Sequence, residues 1–212
     1  MTKFALSLFL LTFSLFSCSQ EGEMATQSTK NVLVANDTIV LGGGCYWCVE
    51  AVYDRLDGVV EVVSGYSGGK TVNPSYEQVC TGKTGHAEVI RIAFDSTKTS
   101  ILEILKVFFT VHDPTTLNRQ GADVGTQYRS VIFYRNSLQK SIAEELISVL
   151  NKEKVYPSKI VTEVSPLSTF YIAEDYHQNY YERNKEQGYC RLVIQPKIEK
   201  FEKIFGDRMK QK

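Results

Sequence analysis

Cys45 and Cys48 stand three residues apart in the stretch "TIVLGGGCYWCVEAVYDRLDG", behind three glycines and around a Tyr-Trp pair. Thiols so placed can do redox chemistry, hold half of a zinc site, or simply pack. The stretch reads as a buried strand, a glycine turn and a helix. A helix start offers free backbone N–H groups and the positive end of the macrodipole, and both favour an anion. Phosphate is the common one, but here Trp47 occupies the third position of the glycine fingerprint that Gly42 and Gly44 begin, and no Gly-Lys-Ser/Thr follows. The anion expected at this turn is the Cys45 thiolate, its pKa lowered by the helix end, with the glycines letting backbone come close to whatever it attacks.

Residues three apart in a regular helix have Cβ atoms about 5–6 Å apart, more than the roughly 3.5–4.5 Å of a disulfide. A Cys45–Cys48 bond therefore requires a loosened first turn, and a strained disulfide is easily reduced, which suits an intermediate better than a staple. The other readings of the pair are weaker. A second C-x-x-C or C-x-x-H is absent, and Cys80 with His86 complements the pair poorly as a zinc site, so no metal is expected. A thioredoxin-like enzyme would place Trp before the first cysteine and a Gly-Pro type pair between the two, whereas here glycine precedes and Tyr46-Trp47 intervenes. No flavin or nicotinamide motif is visible, so no bound cofactor is expected.

The elements that must position these thiols follow from composition and periodicity. The chain has 212 residues, 43% of them hydrophobic, with 24 basic against 24 acidic side chains. That suffices for one substantial core, and the balanced charge leaves no footprint for nucleic acid and no basic membrane face. Its beginning, "MTKFALSLFLLTFSLFSCSQEGE", has a basic start at Lys3, an apolar run over 4–16 and a small residue before Cys18. This is export-signal grammar, and the run is shorter than the roughly 20 residues of a spanning helix. Residues 1–17 are expected to be a signal peptide and 18–36 a flexible polar tether, with 37–212 the folded domain. Strands are expected at "DTIVLGGG", "VVEVVSGYSGG", "HAEVIRIAFD" (alternating), "YRSVIFYR" and "KIVTEVSP". Helices are expected at "CYWCVEAVYDRLDG" (ending at Gly58), "SILEILKVFFTVHDP", "SLQKSIAEELISVLNKEK", "AEDYHQNYYERNKEQG" and "PKIEKFEKIFG". Between the third strand's helix and "YRSVIFYR" lies a long polar loop, and "RLVI" after Cys190 reads as a short strand. Alternating strands and helices with one close strand pair imply an α/β (α+β) two-layer sandwich on a mixed sheet.

"GGGCYWCVEAVY" resembles the G-C-F-W-x motif of the type A peptide methionine sulfoxide reductases, with Tyr46 in place of the commoner Phe. The resemblance continues in order through "SGYSGG", "NPSYEQVCTGKTGHAEVIRIAFD", "FFTVHDPTTLNRQGADVGTQYRSVIF" and "YHQNYYERN", covering 38–198. It implies a ferredoxin-like relative with its active site at the start of the first helix. The implied reaction is thiol-dependent reduction of methionine S-sulfoxide, free or in oxidised proteins and peptides, as a repair activity. Cys45 is then the nucleophile that becomes a sulfenic acid, Glu88 the proton donor with its pKa raised by burial, and Tyr76, Tyr128 and Asp123 the group around the sulfoxide oxygen. Tyr46 and Trp47 are expected to hold the sulfoxide methyl, with His86 and His177 as supporting residues in substrate binding. Cys48 is favoured as first resolving thiol, Cys190 lies where other members carry a mobile resolving cysteine, and Cys80 is expected to be buried and inert. The external reductant implied is thioredoxin or another dithiol. "LFSC" also resembles a bacterial lipobox, which implies lipid on Cys18, a monomer tethered to the cell envelope, and no other membrane contact.

Overall fold

β1 (Asp37–Gly43) is buried from Ile39 onward because it runs through the middle of a sheet whose two faces are both covered. The computed structural model describes residues 34–211, so the expected signal sequence, Cys18 and most of the expected tether lie outside the described residues. α1 (Tyr46–Tyr53) follows the glycine turn. It ends five residues before the expected stop: the N–H groups of Arg55 and Leu56 bond three residues back, to Val52 and Tyr53, and the chain tightens into turns before Gly58 at φ +82°. β2 (Val59–Ser67) leads through the Ser/Gly-rich loop to α2 (Tyr76–Cys80), a short helix not anticipated from the sequence. A capping box starts it, Ser75 and Gln78 each accepting the other's backbone N–H.

β3 (Ala87–Phe94) lacks the expected alternation, since every residue but the half-buried Arg91 is buried. α3 (Ile101–Val111) starts at a second capping box, Ser100 with Glu103. The long polar loop contains a small hairpin, β4 (Arg119–Gln120) and β5 (Asp123–Val124), and a 3₁₀ turn at Thr126–Tyr128. β6 (Ser130–Tyr134), α4 (Ser137–Lys152) and β7 (Glu163–Pro166) follow as expected, then a short β8 (Tyr171–Ile172). The single helix expected over "AEDYHQNYYERNKEQG" is broken into a 3₁₀ turn, Asp175–His177, and α5 (Tyr180–Arg183), because Asn179 between them takes the left-handed conformation at φ 52°. "RLVI" is not a strand. Cys190–Ile194 is a π-helical turn running into α6 (Gln195–Phe205), and Cys190, Ile194, Ile198 and Phe201 are buried at helical, not alternating, spacing.

The six-stranded sheet has the order β7-β6-β1-β3-β2-β8. Only β6 and β7 pair in parallel; the other neighbours are antiparallel, so the sheet is mixed as expected. One face buries Ile39, Leu41, Ile90, Ile92 and Ile132 against the helices, and the other carries a smaller cluster of Val40, Val89, Val131 and Phe133 under Leu167 and Phe170. Putting β1 beside β3 sets Glu88 next to the point where the chain leaves β1 for α1. That is where the thiols lie.

Candidate active site

The glycine turn works differently from the sequence expectation. Gly44 has φ +92°, and a Cβ there would stand 2.6 Å from the Gln120 side chain; one at Gly42 would meet Val131 at 2.8 Å and the Glu88 carbonyl at 2.9 Å. The glycines therefore clear space for the protein's own hairpin and sheet, and only through them for the site. Cys45 occupies the position before α1, with φ −57° and ψ 125°, outside helical geometry. Its carbonyl accepts the Cys48 N–H at 3.1 Å, and its thiol lies near enough to that of Cys48 for each to perturb the other. They are free thiols, both buried.

The charge on the pair is not where the helix end alone would put it. Burial raises the Cys45 thiol well above its ordinary pKa, while the hydrogen bond from Cys45 and the nearby Lys197 ammonium bring Cys48 down to about 6. The Cys45 side chain makes no capping bond with α1, and burial is the largest influence on its thiol. Of the two, Cys48 is the readier to lose its proton and Cys45 the one that holds it.

Glu88 is 1% exposed on β3, and its Oε2 accepts the Tyr46 N–H at 3.2 Å. Burial first, then the charges of Asp123 and Cys48, push its carboxyl up to about 8, as the expected proton donor requires. Tyr76 and Tyr128 are half-buried and lie within the field of Glu88; Tyr128 also feels Cys45. Tyr76, Tyr128 and Asp123 thus gather around Glu88 from α2, the 3₁₀ turn and β5, with the thiols beside Glu88. Sequence reasoning missed Tyr189. Its hydroxyl donates to Asp123 Oδ2 at 2.8 Å and lies 3.8 Å from the Cys48 sulfur, tying the carboxylate to the thiol pair. Its adjacency to Cys190 was the one signal available.

Trp47 is the exposed face of the aromatic wall. Its ring lies flat on Tyr180, with centroids 3.6 Å apart at 6°, and its Nε1 donates to His177 Nδ1 at 3.2 Å. Tyr46 sits behind it, 1% exposed, its extra hydroxyl 3.3 Å from that of Tyr66. The expectation that Tyr46 presents surface to a methyl group is corrected: it backs the wall. His177 is buried among Tyr46, Trp47, Tyr76 and Tyr176, and desolvation keeps it neutral, with Nε2 unpartnered. His86 does not face substrate. It is 2% exposed, Nδ1 accepts the Gly69 N–H at 3.0 Å and Nε2 donates to Thr71 O at 2.8 Å, so both ring nitrogens are spent anchoring a loop.

Cys190 is fully buried on the π-helical turn, within the electrostatic reach of Cys48. Cys80 is exposed at the end of α2 and within hydrogen-bonding contact of Tyr76, which corrects its expected burial: α2 is a single capped turn on the surface. Among the described residues, no group of three or more His, Cys, Asp or Glu could hold a metal ion.

A buried dithiol facing a protonated carboxyl and two tyrosine hydroxyls defines a thiol-based oxidoreductase for a substrate with an oxygen to lose. A family model described as "Peptide methionine sulfoxide reductase" matches residues 37–209, and the chain belongs to that family. It is 58% identical over 174 residues to the peptide methionine sulfoxide reductase MsrA of Saccharolobus solfataricus, covering 82% of this chain and 97% of the relative. Against that of Trichodesmium erythraeum the identity is 55% over 173 residues, covering 82% and 98%. Among solved structures, Mxr1 from Saccharomyces cerevisiae in reduced form superposes with a TM-score of 0.67 at 31% identity, covering 75% of this chain and 96% of that one. Methionine sulfoxide reductase A of Corynebacterium diphtheriae gives 0.65 at 36%, covering 71% and 76%.

Proposed function

We infer that Cys45, Glu88 and Cys48 carry out the family reaction, reduction of methionine S-sulfoxide to methionine at the expense of thiols, in the following order. The sulfoxide enters with its methyl against Trp47 and its oxygen toward Glu88, Tyr76 and Tyr128. Cys45 passes its proton to the Cys48 thiolate and attacks the sulfur, while Glu88 protonates the departing oxygen. The protonated oxygen then passes as a hydroxyl from the substrate sulfur to the Cys45 sulfur; the S–O bond and the new S–S bond break, methionine leaves with the S–S electron pair, and Cys45 is left as a sulfenic acid. Cys48 gives its proton to the Glu88 carboxylate and attacks the sulfenic sulfur; the hydroxyl takes that proton and departs as water, and a Cys45–Cys48 disulfide remains. Overall, one sulfoxide and two thiols give one sulfide, one disulfide and water.

The observation that carries this reading is the buried, protonated Glu88 carboxyl beside a hydrogen-bonded dithiol. An exchange enzyme of the thioredoxin type needs the dithiol and can use a buried acid for its proton transfers, but it has no sulfoxide oxygen for Tyr76 and Tyr128 to hold. The test offers the protein two peptides with the S and the R sulfoxide, with dithiothreitol, and follows loss of one oxygen by mass. Turnover of S alone agrees with the reading; turnover of neither by a folded protein with titratable thiols refutes it.

The physiological reductant in this proposal is a thioredoxin-like dithiol acting on the disulfide, and the protein works as a monomer. The basic start, apolar run and "LFSC" of the first 18 residues support export and a lipid on Cys18, hence a place at the cell envelope. Incorporation of labelled fatty acid, abolished by Cys18→Ala, checks that part.

A further inference from the structure

Glu50 lies on α1 two residues past Cys48, is 2% exposed, and takes no part in the chemistry above. A buried carboxylate is costly unless its oxygens are bonded. Here Oε1 accepts the Asn179 N–H at 2.9 Å and the Ser64 hydroxyl at 3.2 Å, and Oε2 accepts the Tyr180 N–H at 3.3 Å. Among the described residues no Lys, Arg or His forms an ion pair with it. Its partners are thus three neutral donors, two of them consecutive backbone N–H groups at the start of α5.

Those two groups have no local cap. Asn179 precedes α5 in the left-handed conformation, with φ 52° and ψ 38°, and its side chain makes no capping bond. The capping role that Ser, Asp or Asn ordinarily plays within a helix is filled here from another helix. The consequence is geometric: Tyr180, the first residue of α5, is held by its own N–H so that its ring lies flat on Trp47. Trp47 is two residues after Cys45 and Glu50 three after Trp47, so one helix carries the nucleophile, the aromatic wall and the strut that braces it.

We propose that Glu50 is a positioning residue for substrate, which by bonding the Asn179–Tyr180 backbone fixes Tyr180 against Trp47 and so shapes the wall that receives the sulfoxide methyl. The proposal rests on the reading of Trp47 as that wall. Glu50 acts through Tyr180 on binding, not on the thiols, so its loss raises KM and leaves the chemical step alone.

Glu50→Gln, Tyr180→Ala and the double variant test this in the full protein. Trp47 is the chain's single tryptophan, so its emission reports the stack directly. Glu50→Gln is expected to raise KM for an S-sulfoxide peptide roughly tenfold with kcat within about threefold, and to brighten and shift Trp47 emission in a reduced protein of unchanged circular dichroism. Tyr180→Ala is expected to raise KM equally and the double variant no further, because both act through one contact. Additive KM effects, or an unchanged emission with unchanged KM, overturn the proposal. If Glu50→Gln fails to fold, Tyr180→Ala decides alone, since it leaves the buried carboxylate bonded; an unaltered KM there sinks the idea. Glu88→Gln serves as the control for the underlying reading: it should abolish turnover with Trp47 emission intact, whereas an active Glu88→Gln would indict the reaction assignment and not the strut.

Discussion

Glu88→Gln removes one proton and almost no volume, and its consequences can be worked out on two axes. With its carboxyl at about 8 instead of the usual 4.5, Glu88 is protonated in roughly ten molecules of eleven at pH 7. It is therefore ready to donate when the sulfoxide oxygen leaves, and losing a positioned acid costs about 10²–10⁴-fold. The single-turnover rate, read as methionine released per enzyme by rapid quench and mass spectrometry, should fall by that factor at pH 7. In the wild type the same rate should be level between about pH 6 and pH 8, decline about tenfold per unit above pH 8 as the acid is lost, and decline below pH 6 as Cys48, which takes the Cys45 proton, becomes protonated. Stability moves the other way. A carboxyl whose folded pKa lies above its unfolded value binds more protons in the folded state between 4.5 and 8, so its contribution is fully present below 4.5 and is lost as pH rises to 8. At about 1.4 kcal/mol per unit, the full loss is of order 5 kcal/mol. Urea unfolding should find Glu88→Gln a few kcal/mol more stable than wild type at pH 8.5 and nearly equal to it near pH 5. A variant within tenfold of wild-type rate, or equally stable at both pH values, would refute the argument that burial keeps this carboxyl protonated for catalysis.

Cys48→Ser should release one equivalent of methionine, more slowly than wild type because the group that takes the Cys45 proton is gone, and then stop with a dimedone-reactive sulfenic acid on Cys45, while multiple turnover with a dithiol reductant falls at least about a hundredfold. Lys197→Met removes the cation that, after Cys45, holds Cys48 down at about 6, so the Cys48 thiol should titrate higher, visible as an upward shift in the pH profile of its alkylation, followed by mass in the protein with Cys45 intact; Lys197→Arg should restore it. His86→Ala strands the Gly69 N–H and the Thr71 carbonyl, and at about 1–3 kcal/mol each should lower unfolding free energy by a few kcal/mol while changing kcat little; a large loss of kcat in a stable variant would return His86 to the substrate site.

The order of the main strands and helices, the mixed character of the sheet and the strand–turn–helix junction at Cys45 were legible from the chain, because apolar spacing and glycine turns are local signals. The chemistry of the first helix was legible too, since two thiols behind a glycine turn admit few uses. What escaped depended on contacts between distant residues. The break at Asn179 that divides the expected helix and starts α5 afresh could not be foreseen, because the carboxyl that bonds its backbone, Glu50, lies 129 residues away. Tyr189 looks like any aromatic until folding sets its hydroxyl against Asp123, 66 residues away.

Burial decided the rest. His86 and Glu88, two residues apart, seemed candidates for one face of one strand; the fold gave the first a loop to anchor and the second a desolvated place beside the thiols. Cys45 carries the sequence mark of an activated thiolate, yet the tertiary structure buries it, and burial raises its thiol while Cys48 is brought down. Residue type and spacing fixed which groups could react; the sheet order β6-β1-β3 and the packing of the 174–197 segment over α1 fixed their protonation, and protonation depends on solvent access, which no local window of sequence encodes.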